Sequence, residues 1–186
     1  MSADIILIGP PGAGKSTVGE LLAAKLAWPQ CSMDELRWEY YREIDYDADV
    51  QKSLWEQHGF DAVARYWKPF EAHAVERLLG AHHDCAPGCV IDFGAGHSFY
   101  EDEALFARVQ QALAPFPNIV LLLPSVDLDE SIRMLADRTK DVAPPGFDHT
   151  PFVKHRSNHR LARHVVYTKG ETPEQTRDRI IAVLGL

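Results

Sequence analysis

Gly9-Pro10-Pro11-Gly12-Ala13-Gly14-Lys15-Ser16 matches G-x-x-x-x-G-K-[ST] without a mismatch. Glycines in such a run let successive backbone N–H groups turn inward around a phosphate. The helix that follows adds the positive end of its dipole. In that arrangement Lys15 reaches the β- and γ-phosphates of a nucleotide, and the Ser16 hydroxyl is placed to ligate Mg²⁺. Gly12, Ala13, Gly14, Lys15, Ser16 and Thr17 are therefore the candidate nucleotide-binding residues. A chance glycine turn is the alternative, but the context is the required one: the apolar run Ile5-Ile6-Leu7-Ile8 before it and helical apolar spacing after it.

Two carboxylates could complete a phosphoryl-transfer site. Asp34 opens a helical run after a weak second strand signal. It is either the base that orients an acceptor hydroxyl or a helix N-cap, with Glu35 as its local competitor. Asp92 ends the apolar strand Val90-Ile91-Asp92 and either orients Mg²⁺ or caps the turn before Gly94. His82-His83-Asp84-Cys85 with Cys89 groups ligand-type residues, but the spacing closes no tetrahedral site and reads as a polar turn. Trp38, Tyr40, Tyr41, Trp55, Tyr66 and Trp67 read mainly as core packing, with one or two available to line an acceptor pocket. Lys154, Arg156, Arg160 and Arg163 form a basic patch that is either a solvated helix face or a set of phosphate contacts.

These residues need a scaffold of alternating elements. Strands are expected at 5–8, 30–33, 89–93, 118–123 and 165–167, and helices at 15–26, 34–41, 50–59, 66–79, 102–114, 128–137 and 173–184. Such alternation predicts one three-layer α/β/α domain over residues 1–186 with a five-stranded parallel sheet. Residues 34–87 are too long for a simple crossover and read as a helical acceptor-binding insertion. The polar stretch 139–160, with Pro144-Pro145-Gly146 in it, reads as a lid. A net charge of −8 over 186 residues argues against a nucleic-acid partner. Three cysteines are too few for a disulfide framework, which points to the cytoplasm. The N-terminal apolar run is too short to be a membrane span. The guanine-reading N-K-x-D of GTPases is absent from the sequence.

The sequence resembles the shikimate kinase family of P-loop phosphotransferases. Gly12-Ala13-Gly14-Lys15-Ser16-Thr17-Val18-Gly19, followed by Leu22-Ala23 and Leu26, is close to that family's first helix. Weaker similarity covers most of the chain. The resemblance implies a P-loop kinase fold and an ATP- and Mg²⁺-dependent transfer to a hydroxyl of a small metabolite, by a monomer or dimer. It places Asp34 at the second Asp of the family's D-x-D pair, facing the acceptor hydroxyl. Lys68, in Trp67-Lys68-Pro69-Phe70-Glu71, stands where the family has a carboxylate-binding Arg. Gly94-Ala95-Gly96 takes the place of three glycines beside the acceptor ring. Arg138 sits where an Arg stacks on adenine, and Thr172-Pro173 lies in the adenine-side loop. The departures are Ser32 for the first Asp, Lys68 for Arg, Ala95 for the middle glycine, and Lys140-Asp141-Val142-Ala143 for the lid's Arg-Pro-Leu-Leu. Arg to Lys loses a bidentate clamp. Three changes around one pocket imply a different acceptor, with nucleoside or nucleoside-monophosphate kinases and an inactive nucleotide-binding regulator as the rival readings.

Overall fold

Residues 4–82, 88–144 and 146–186 are described by the computed structural model. The cysteine and histidine cluster therefore lies largely outside the described residues, as does Pro145 of the polar stretch. The sheet consists of β1 (Ile5–Ile8), β2 (Gln30–Ser32), β3 (Val90–Asp92), β4 (Asn118–Leu123) and β5 (His164–Tyr167). All pairings are parallel, in the order β2-β3-β1-β4-β5. Every residue of β1 is fully buried, which is why it reads as a continuous apolar run rather than an alternating one.

The helices are α1 (Lys15–Leu26), α2 (Met33–Arg42), α3 (Ala48–His58), α4 (Phe60–His82), α5 (Glu103–Leu113), α6 (Leu128–Thr139), α7 (Thr150–Lys154), α8 (Arg156–Leu161) and α9 (Pro173–Leu184). A 3-10 turn spans Ala95–Ser98. Helix starts follow local chemistry. Asp47, Asp102 and Asp127 each accept two backbone N–H groups at the first turns of α3, α5 and α6. Thr172 and Gln175 form a capping box on α9. α1 packs with α9, and α4 packs with α2, α3, α5 and the 3-10 turn, so helices cover the sheet as the alternating pattern predicts.

Two segments differ from the sequence expectation. α4 begins at Phe60 rather than Tyr66, because Ala62 and Val63 bury and extend its apolar face toward the N-terminus. Pro69 lies inside it on an exposed side, where the freed carbonyl of the preceding turn can meet water. The polar stretch after α6 is not all loop, since α7 and α8 form there around buried Val153, Ser157, Asn158 and Leu161.

In a parallel sheet the segments after each strand emerge at one edge. The glycine loop after β1, the start of α2 after β2 and the 3-10 turn after β3 are therefore brought together. The register fixes their depth: Ser32 and Asp92, the last residues of β2 and β3, lie side by side with Leu7, the last residue but one of β1.

Candidate active site

Gly14 occupies the N-cap of α1 with φ 92° and no side-chain cap. A left-handed φ there suits glycine. The absence of a capping side chain leaves the first amides of the helix open to an anion. Lys15 is buried, and its Nζ donates to the carbonyls of Gly9 at 2.9 Å and Pro10 at 3.0 Å. Burial lowers its pKa to about 8, against the opposing pull of Asp34 and then Asp92. Gly12, Gly14, Lys15, Ser16 and Thr17 line a cavity of about 450 Å³, with Asp34, Phe93 and Ala95 on its other side. Ala13 does not line it. That side chain faces the core, and its N–H donates to the Pro10 carbonyl at 3.3 Å.

A second cavity of about 460 Å³ adjoins the first. Pro11, Gly12, Asp34 and Ala95 belong to both. Asp34 thus stands where the two spaces meet. It sits in the first turn of α2, whose N-cap position is Ser32 and which has no side-chain capping bond. The Asp34 carboxylate is therefore free of the capping role that the sequence left open. One oxygen lies 3.4 Å from Arg37 Nη1, one helical turn along. A Cβ on Gly94 would lie 2.2 Å from Asp34 Oδ1, so the carboxylate fills the space that Gly94 leaves. Glu35 points to solvent and lines neither cavity.

Lys68 lies on the wall of the second cavity, but its ammonium is engaged. Nζ donates to Glu71 Oε2 at 2.6 Å, to the Gly96 carbonyl at 3.1 Å and to the Phe99 carbonyl at 2.9 Å. An ammonium has three protons to give. Glu71 is itself buried, and a Cβ on Gly96 would come within 1.9 Å of its Oε1. Lys68 and Glu71 together hold the 3-10 turn against α4. His97, within that turn, is fully buried. Desolvation, with repulsion from Arg37 and Lys68, pushes its pKa down to about 3, so it is neutral.

Asp92 Oδ1 is buried without a hydrogen-bond partner. That orphaned oxygen and the exposed Ser16 hydroxyl are hard oxygen donors of the kind Mg²⁺ takes. Among the described residues no group of three or more His, Cys, Asp or Glu could form a cage of its own. This fits a cation that completes its shell with substrate phosphates.

Arg138 lines the second cavity and approaches the Gly12 carbonyl at 3.5 Å. Thr172 and Pro173 lie at the same sheet edge, after β5, but line none of these spaces; the Thr172 hydroxyl caps α9. The basic patch is paired elsewhere: Lys154 with Asp129 at 2.7 Å, and Arg156 and Arg160 with Glu103. Arg37 is the functional candidate that sequence reasoning passed over. Its guanidinium lies over the rings of Trp38 at 4.5 Å and Trp67 at 5.2 Å, on the wall of the second cavity. The available signal was its position three residues after Asp34.

No protein-family model matches the chain. A solved shikimate kinase from Acinetobacter baumannii in complex with shikimate superposes with a TM-score of 0.64 at 18% identity, covering 99% of this chain and 93% of that one. Sheet order, glycine loop and flanking helices are those of the P-loop kinase fold. A shikimate kinase from Streptomyces coelicolor is 27% identical over 191 residues, covering 98% of this chain and 95% of its own. An adenylate kinase from Mycobacterium leprae is 46% identical over 46 residues only, a quarter of the chain. The chain is thus similar over nearly its whole length to shikimate kinases and shares their fold. Among the described residues no helix is long and apolar enough to cross a membrane.

Proposed function

We propose that the protein transfers the γ-phosphoryl group of ATP to a hydroxyl of a small molecule. The observation that carries this reading is the place of Asp34, at the junction of the phosphate-loop cavity and the adjoining one. ATP binds with its phosphates on the amides of Gly12, Gly14, Lys15, Ser16 and Thr17, and the acceptor occupies the second cavity. Asp34 accepts the hydroxyl proton as that oxygen bonds to the γ-phosphorus and the bond to the bridging oxygen of ADP breaks. Lys15 swings from the Gly9 and Pro10 carbonyls to the β- and γ-phosphates, where it offsets charge that grows during transfer. Ser16, with Asp92 directly or through water, would hold Mg²⁺, which would supply neutralisation of the phosphate oxygens. Arg37 orients Asp34 through their contact. Arg138 approaches from α6 over the loop, and Thr172-Pro173 borders the adenine. Residues of the 34–87 insertion, Lys68 among them, supply acceptor walls together with Gly94, Ala95 and Gly96 of the turn after β3. Residues 139–160 close as a lid, which would keep water from the γ-phosphate.

The test is a phosphotransfer screen with ATP and Mg²⁺ against hydroxy acids, cyclitols, sugars, nucleosides and amphipathic alcohols, run beside Asp34→Asn. The expected result is transfer to at least one acceptor by the wild type. The variant should turn over roughly a hundredfold more slowly, with ATP affinity near normal. Tight ATP binding without transfer to any acceptor would instead mark a nucleotide-dependent regulator.

A further inference from the structure

We infer that the acceptor is an amphipathic alcohol, neutral or cationic, with an aromatic or bulky aliphatic body and no carboxylate at the end that faces Lys68. This rests on the reading of the second cavity as the acceptor site. The first argument is the character of its walls. Phe60 and Trp67 of α4, Phe99 of the 3-10 turn, and Phe147 and Phe152 of the 139–160 stretch converge on it. They contact one another: Phe147 stacks on Phe152 at 5.7 Å between ring centroids and meets Phe60 edge-on at 5.6 Å, and Phe99 lies 5.1 Å from Phe152. Four of the five remain partly solvent-exposed. Contiguous aromatic surface left wet has a free-energy cost that a monomeric fold normally avoids, and it is recovered when an apolar ligand covers it. A polyhydroxylated ring would strip its hydroxyls of water against these faces and gain few hydrogen bonds in return.

The second argument is charge. The family-like position that would clamp an acceptor carboxylate is Lys68, and all three of its protons go to Glu71, Gly96 and Phe99. The other cations on the wall are directed elsewhere. Arg37 pairs with Asp34 through Nη1 at 3.4 Å and lies over two indole rings, while its buried Nε has no hydrogen-bond partner. Arg138 is turned toward the phosphate loop. At the Lys68 end, an acceptor carboxylate would thus enter without a ready partner and beside the buried Glu71 carboxylate.

The third argument is size. A further cavity of about 850 Å³ continues outward and shares Phe60, Lys68, Phe99, Phe147 and Phe152 with the second. Together they offer space of the kind that buries a drug-sized molecule rather than one small ring. The outer space carries Asp61, Glu101, Asp102 and Asp148 against Arg65 and His58, a balance that favours a neutral or cationic far end.

The test uses a matched set of probes: 3-phenyl-1,2-propanediol, 3-phenyllactate, glycerol and shikimate. Each is titrated calorimetrically into the protein with a non-hydrolysable ATP analogue and Mg²⁺, and each is assayed for phosphotransfer from ATP. The diol should bind at least tenfold tighter than glycerol, which lacks the ring, and than phenyllactate, which adds the carboxylate. Phe147→Ala and Phe60→Ala, each checked for unchanged ATP-analogue affinity, should weaken diol binding at least tenfold. Shikimate or glycerol binding as well as the diol, or no detectable diol binding, would overturn the inference. Efficient transfer to shikimate would do so while leaving the kinase reading intact. Tight diol binding with no transfer to any alcohol would uphold the acceptor chemistry and remove the kinase reading.

Discussion

Affinity for ATP should fall as the solution becomes alkaline, and Lys15 sets both the midpoint and the size of the loss. In the nucleotide-free protein, burial holds its pKa at about 8 rather than 10.5. Phosphates brought beside the ammonium favour its charged form, so binding raises that pKa again. A group whose pKa rises on binding is protonated by the ligand at pH values between the two constants, and affinity falls tenfold per pH unit there. About a quarter of free Lys15 is neutral at pH 7.5 and about nine-tenths at pH 9, so ATP should bind roughly eightfold more weakly at pH 9. Both values lie above the second phosphate ionisation near pH 6, so the ligand's own titration contributes little. Calorimetry in two buffers of different ionisation enthalpy measures the same proton directly. Uptake should rise from about 0.2 to about 0.9 proton per ATP across this range. The lowered pKa also bears on folding. Its cost, about 3 kcal/mol by the pKa difference, is fully present below pH 8 and is relieved as pH rises from 8 toward 10.5. Equal ATP affinity at the two pH values, with no proton uptake, would refute this reasoning and place Lys15 outside the phosphate contacts.

Replacing Lys15 or Ser16 with Ala should abolish transfer while circular dichroism and the thermal midpoint remain those of a folded protein. Wild-type turnover in Lys15→Ala would remove the catalytic assignment. Asp92→Asn should shift the Mg²⁺ activation curve to higher concentration, because the unpaired buried oxygen at the end of β3 loses its charge; an unchanged curve makes Asp92 structural. Gly96→Ala drives a methyl group into the buried Glu71 carboxylate, an overpacking that costs about 1–3 kcal/mol and should lower the thermal midpoint by several degrees. The same change at exposed Gly80, whose Cβ would meet nothing within 4 Å, is the control and should lower it by nothing.

The parts of the fold legible in the sequence were those in which one short segment satisfies its own requirements. β1 is buried on both faces and reads as four apolar residues in a row. Helices α5 and α6 announce themselves through the capping residues Asp102 and Asp127. Less legible were elements whose limits depend on contacts with distant segments. The first turns of α4 exist because Ala62 and Val63 bury, and nothing in their local spacing marks that. Helices α7 and α8, of five and six residues, are too short to show a period; buried Ser157 is fixed by Tyr100, whose N–H it accepts and whose carbonyl it donates to.

The same distinction divides the site. In the proposed function phosphate recognition falls to consecutive amides and one lysine, so that device would be written in eight adjacent residues. The acceptor side is assembled from α2, α4, the 3-10 turn and the segment after α6, each contributing one or two side chains. Its chemistry is decided by which groups are already spent on one another. Lys68 reads in sequence as a free cation in a carboxylate-binding position, yet Glu71 lies one turn further along the same helix, and the carbonyls of Gly96 and Phe99 complete its bonds from across the cavity. Arg37 looks like an ordinary surface arginine until Asp34, Trp38 and Trp67 are placed around it. If the second cavity holds the acceptor as proposed, substitutions there should change the acceptor without touching the phosphate loop, because the two cavities share only Asp34, Pro11, Gly12 and Ala95. On that proposal a phosphate loop would persist unchanged in a chain whose acceptor walls are built of aromatic residues.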